Sequence, residues 1–180
     1  METLRIHSPF DKQDFIRAMQ IKWEIHWLKN RRQLINYSIA SVIILSIGII
    51  ARTEEEPTNP FVFLGIGSFV ATLLFVYFRI FSKRRYSRKV EEIAKKFDSI
   101  KMDCTYEFSD ESIKYWDKEK TLDFKWTVFT NYSMYKNYLI LILNNSLIES
   151  YIFEKKEPDL DEYNKILEIA KSKLEYKKIK

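Results

Sequence analysis

The sequence predicts an α+β protein: a two-helix transmembrane hairpin, followed by a cytoplasmic antiparallel β domain that a C-terminal helix closes. Three observations carry this. Gln33 to Ala51 and Pro57 to Phe78 contain no strongly ionising side chain, apolar character switches to period two beyond Lys101, and it returns to a helical period after Pro158. A chain of 180 residues has room for one ordinary domain and its appendages, which excludes most multidomain enzymes. With 46% hydrophobic and 31% charged residues, the two kinds must be segregated along the chain.

Residues 1–33 read as an N-terminal cytoplasmic amphipathic segment, helical from about Pro9 to Arg32. Phe15, Ile16, Met19, Trp23 and Trp27 gather on one side of a helical projection, and Ile21, Ile25 and Leu28 make a second apolar face. Two seats suit that helix, the membrane interface and the surface of the β domain. The first 30 residues mix acids and bases without an apolar core, so no cleaved signal peptide is expected.

Residues 34–78 form the hairpin, with spans over about 34–51 and 60–78. A bilayer core of ~30 Å needs ~20 helical residues, which each run supplies. Lys29, Arg31 and Arg32 precede the first span, and Arg79, Lys83, Arg84, Arg85, Arg88 and Lys89 follow the second. The connecting loop from Arg52 to Asn59 holds one base against three acids. The positive-inside rule then predicts a multi-pass protein of the bacterial inner membrane with both termini cytoplasmic. Lys83, Arg84, Arg85, Arg88 and Lys89, in a basic juxtamembrane helix over 79–100, are the candidate contacts for anionic lipid headgroups.

A short loop with Pro57 and Pro60 forces the spans to return antiparallel, and small residues should mark their contact. Ser41 and Gly48, with Ser38, share a stripe of the first span. Gly67 with Ala71, and Ser68 with Thr72, form small-xxx-small pairs on the second. No acid, base or His lies within either span, which weighs against an ion pathway.

Residues 101–180 form the β-rich domain. Strands are expected over about 102–108, 111–116, 121–130, 132–136, 138–143 and 147–153, arranged as an antiparallel meander with polar turns between them. Tyr138 to Leu143 is apolar on both faces and should be a central, covered strand. Leu160, Tyr163, Leu167, Ala170 and Leu174 define an amphipathic helix over 159–176, with acids at its start and lysines at its end. A curled sheet closed by one C-terminal helix is the architecture of a pleckstrin-homology-like domain.

Two spans with cytoplasmic termini precede Phe108-Ser109-Asp110-Glu111-Ser112-Ile113, Phe124-Lys125-Trp126-Thr127-Val128-Phe129, Tyr138-Leu139-Ile140-Leu141 and a closing helix. Over nearly its whole length the chain thereby resembles the YcxB-like family of bacterial membrane proteins. Where that family usually has an Ile-Pro-Lys-like phrase before the last helix, this chain has Ile152-Phe153-Glu154-Lys155, without the proline. The resemblance implies an inner-membrane protein with a pleckstrin-like domain and implies no activity.

Signals of catalytic chemistry are sparse. One Cys and two His cannot build a zinc or iron site, and the three glycines all lie in the spans, so no cofactor, metal or catalytic residue is expected. Cys104 sits on the apolar side of a strand, as a small core residue does. The excess of bases belongs to the membrane-proximal half, since residues 101–180 hold 14 Lys, no Arg and 15 acids, so nucleic acid is not an expected partner. Tyr115 and Trp116 are adjacent and cannot both face inward on a strand, which makes them the candidate partner-binding pair.

The leading expectation is a membrane-anchored scaffold or regulatory module that engages a protein partner or lipid headgroups, with homo-oligomerisation through the small-residue faces as a further partner class. A membrane enzyme or accessory subunit with a shared site is the alternative, and a small transport component a third. Acids interspersed among Lys114, Lys118, Lys120 and Lys125 would weigh against headgroup recognition by the sheet.

Overall fold

A computed structural model describes residues 3–50, 60–144, 146–156 and 159–179. The loop on which the hairpin and orientation arguments drew lies outside the described residues. The chain divides into two compact units, Met1–His26 with Lys89–Lys180, and Trp27–Arg88. Along the chain run β1 (Leu4–Ser8), α1 (Lys12–Ile50), α2 (Pro60–Ser99), β2 (Cys104–Phe108), β3 (Ser112–Trp116), β4 (Thr121–Lys125), a 3₁₀ turn (Trp126–Val128), β5 (Phe129–Tyr135), β6 (Tyr138–Leu143), β7 (Ser146–Glu154) and α3 (Leu160–Lys173).

The first unit holds two antiparallel sheets rather than the single six-strand meander expected from the sequence. Their orders are β1-β2-β3-β4 and β5-β6-β7. β1 is an addition: Leu4 and Ile6 alternate with exposed Arg5 and His7, and the strand pairs antiparallel with β2 almost 100 residues later. Alternation then sets the faces of the whole sheet. The row Leu4, Phe108, Ile113 and Phe124 points inward, and the adjacent row Arg5, Glu107, Lys114 and Asp123 points outward with charges alternating in sign.

The expected strand 121–130 is broken at Trp126. Its indole Nε1 donates to the Ser109 carbonyl at 2.9 Å and its backbone N–H to the Glu111 carbonyl at 3.2 Å, which anchors the corner to the β2–β3 turn. The chain leaves the first sheet there and starts the second. β6 is central and covered, as its composition requires. Leu139 and Leu141 enter the main core with Phe108, Ile113, Trp126 and Phe129, while Tyr138, Ile140 and Ile142 face the other way. Ile21 and Ile25 of α1 cover that second face, so the start of α1 is seated on the β domain.

α3 closes the main core with Tyr163, Ile166, Ile169 and Ala170. Asp161 and Glu162 in its first turn and Lys171 and Lys173 in its last complement the helix dipole. It ends at Lys173 rather than 176, because the backbone becomes extended at Leu174.

In the second unit both helices are long and apolar enough to cross a membrane. Their contact is close. A Cβ on Gly48 would lie 2.6 Å from the Val62 nitrogen, and a Cβ on Gly65 would lie 2.6 Å from the Leu45 Cα. Ser41 is buried in the same seam.

Candidate functional site

Three groups of residues are candidates for function: the seam of the hairpin, the basic stretch of α2, and the aromatic pair at the end of β3. The seam is small and self-satisfied. Ser38 and Ser41 donate to the Leu34 and Tyr37 carbonyls at 2.9 and 2.8 Å, and Ser68 and Thr72 donate to the Gly65 and Ser68 carbonyls at 3.0 and 2.9 Å. Hydroxyls that bond their own helix offer little to a solute, and their small volume lets the backbones approach. Gly48 and Ser41 lie in this contact. Gly67 and Ala71 do not, which corrects the expected small-residue pair: nothing comes within 4 Å of a Cβ on Gly67, and Ala71 is exposed. Gly65 takes that role. The small-residue spacing left the rotational phase of the helix undecided, and the run Val62, Gly65, Ser68, Thr72 and Val76 shows it.

Lys83, Arg84, Arg85, Arg88 and Lys89 are all exposed along α2. Nearby, Arg79 stacks over the Trp27 ring at 5.4 Å, and that ring meets Phe75 edge-on at 6.1 Å. An amphipathic indole beside a guanidinium suits the boundary between hydrocarbon and water.

Tyr115 and Trp116 point to opposite faces, as strand geometry demands. Tyr115 turns inward to Tyr106 at 5.2 Å and Tyr151 at 6.4 Å, and its hydroxyl donates to Asp117. Burial, then that carboxylate, pushes its phenol well above the ordinary value. Burial likewise pushes Tyr151 up to about 12 and raises the Cys104 thiol. A half-buried thiol whose pKa is pushed up is a poor nucleophile, in keeping with a packing role. Trp116 lies on the outer face beneath Arg5, whose guanidinium sits 4.7 Å from the ring centroid. Of the two it presents the outer surface, and Arg5, on a strand that the sequence pattern did not announce, belongs with it.

The four lysines of the first sheet and its β3–β4 turn do not make a basic mouth. Lys114 stands in register between Glu107 and Asp123, Lys125 pairs with Ser112, and in the turn Lys118 donates to the Ile100 carbonyl at 2.8 Å while Lys120 lies 5.5 Å from the Tyr115 ring beside Asp117. Acids are interspersed throughout. Among the described residues no three His, Cys, Asp or Glu side chains converge as a metal site.

No family model, curated protein or solved structure matches the chain.

Proposed function

We propose that this chain is a multi-pass protein of the bacterial inner membrane, similar to the YcxB-like family, that holds a pleckstrin-like domain in the cytoplasm as a scaffold or regulatory module for a protein partner. One observation carries the membrane half of the reading. The most apolar stretches of the two long helices are only 11% and 6% buried, and Ile39, Val42, Phe63, Leu64 and Leu73 are among the side chains they expose. A core helix of a water-soluble protein buries its apolar stripe, and an exposed apolar surface of this extent is stable only against lipid or another protein.

Orientation rests on the bases at one end of the hairpin, each worth ~1 kcal/mol near an anionic leaflet. The pleckstrin-like description rests on sheets of four and three strands with a C-terminal helix packed into the core between them. A protein partner is favoured over specific headgroup recognition because acids alternate with lysines on the outer face of the first sheet. A phosphorylated headgroup would meet Glu107 and Asp123 there. The exposed Lys83, Arg84, Arg85, Arg88 and Lys89 supply general attraction to the leaflet.

Topology is tested by thiol labelling in a Cys104→Ser background, since Cys104 is the single native cysteine. A membrane-impermeant maleimide applied to intact spheroplasts should label Thr58→Cys and should reach Lys178→Cys only after permeabilisation. The reverse pattern would overturn the orientation. Native mass spectrometry after gentle extraction tests the partner: a protein retained at fixed stoichiometry is expected, and anionic lipid retained alone would replace the protein partner with headgroup sensing.

A further inference from the structure

β5 pairs with β6 along one edge only, and on its other edge the segment after α3 runs beside it in extended form. The Tyr132 N–H donates to the Glu175 carbonyl at 3.0 Å, and the Lys177 N–H donates to the Tyr132 carbonyl at 2.9 Å, which makes one parallel bridge. Ser133, fully buried, donates its hydroxyl to the Lys177 carbonyl at 2.5 Å. The Tyr132 and Tyr176 rings lie 5.5 Å apart, and Ile179 packs against the cluster of Ile21, Ile25 and Ile140. An exposed sheet edge is a row of unpaired donors and acceptors that takes up an extended strand. Here the chain supplies that strand itself.

The hold beyond Leu174 is slight. Glu175, Lys177 and Lys178 are exposed and Tyr176 is 54% exposed, so among the described residues three hydrogen bonds, one ring contact and the Ile179 side chain retain residues 175–179. Leu174 caps α3 through its N–H on the Ala170 carbonyl and packs against the main core, while its own backbone is extended, so residues 175–179 can swing away beyond it without unwinding α3. We propose that the outer edge of β5 is a strand-accepting site, held in cis by residues 175–179 and exchangeable with the same segment of a second copy of this chain. Tyr132 and Ser133 set what fits: an extended backbone parallel to β5, an aromatic ring at position 176, a carbonyl at 177 that reaches the buried hydroxyl, and an aliphatic side chain at 179. The segment of a second copy meets each requirement by identity. This inference rests on the interaction-module reading and gives it a site and a partner.

The probe is a fluorescent peptide of residues 173–179, Lys-Leu-Glu-Tyr-Lys-Lys-Ile, standing for the second copy. It is offered to the full chain in detergent, intact and as Lys177→Pro, which removes the bridging N–H. A tethered segment competes at an effective concentration of order mM, so the intact chain should bind the peptide at least tenfold more weakly than Lys177→Pro does. A peptide N-methylated at the residue equivalent to Lys177 should lose at least tenfold in affinity, because a composition-driven contact would not notice the missing donor. Equal binding to both chains, equal binding of both peptides, or no binding to a folded Lys177→Pro chain would each overturn the proposal. Should Lys177→Pro lose the near-ultraviolet signature of the domain, a chain ending at Leu174 takes its place. Failure here would leave the thiol-labelling result untouched, and failure of that topology would leave this one.

Discussion

Replacing Gly65 by Ala should force the two apolar helices apart, whereas the same change two residues later should not. A Cβ on Gly65 would lie 2.6 Å from the Leu45 Cα, 2.8 Å from its Cβ and 2.9 Å from its nitrogen. Carbon atoms rest ~3.5–4.0 Å apart, so backbone must retreat from backbone by about 1 Å, and no flexible side chain is available to yield. A gap of that size forfeits roughly a quarter to a half of the attraction between each pair of facing atoms along the seam. Overpacking of this kind costs about 1–3 kcal/mol. Gly67→Ala has open space within 4 Å and gains up to about 1 kcal/mol of helix propensity. Titration of the purified protein from mild detergent into SDS, followed by far-ultraviolet circular dichroism, reads both. Gly65→Ala should unfold at a clearly lower SDS fraction than the parent, and Gly67→Ala at the same or a higher one. Equal destabilisation by the two changes, or none by either, would refute the packing described here.

Ile25→Ala, which empties a 3%-exposed position against Ile140 and Ile142, should cost about 2–4 kcal/mol in chemical denaturation, and a cost below ~0.5 would mean that α1 is not seated on the second sheet. Tyr163 buries its hydroxyl without a hydrogen-bond partner among the described residues, so Tyr163→Phe should leave stability unchanged or raise it by about 1 kcal/mol, a loss being the contrary result. Burial lowers the Lys22 amine to about 8, so the unfolded chain binds more protons above that pH, and the thermal midpoint should rise from pH 8 to 10 in the parent but not in Lys22→Met. Above pH 10 the sign reverses: burial holds Tyr151 at about 12, and the stability its neutral phenol contributes is lost as pH climbs towards that value. Trp116→Ala should weaken partner binding with little loss of stability, whereas Tyr115→Ala should destabilise the aromatic core, as melting curves beside pull-down yields would show.

How much of the fold was legible in the sequence depends on the range of the interactions involved. The two apolar runs, the strand Tyr138 to Leu143 and the amphipathic helix at the C-terminus are written in local periodicity, and each is present in the structure. β1 is only five residues long, and its partner lies beyond both long helices, so its alternation of Leu4, Ile6 and Ser8 with Arg5 and His7 carried too little weight alone. The break at Trp126 has no Gly or Pro to announce it; it comes from an indole that finds the Ser109 carbonyl, a contact made only in the folded chain. Helical periodicity ran past Lys173 because Leu174 still fits the apolar stripe. Backbone bonds to Tyr132 and the hydroxyl of Ser133 hold residues 175–177 in extended form instead. Within the hairpin, Gly65 and Gly67 are equivalent by composition, and only the geometry of Leu45 distinguishes them.

Arg31–Ile50 and the apolar part of Pro60–Ser99 are long and apolar enough to cross a membrane. Whether they lie in a bilayer is read by alkaline carbonate washing of membranes from cells that make the full chain. The protein should stay in the membrane pellet and leave it only with detergent. Release into the carbonate supernatant would contradict a bilayer location.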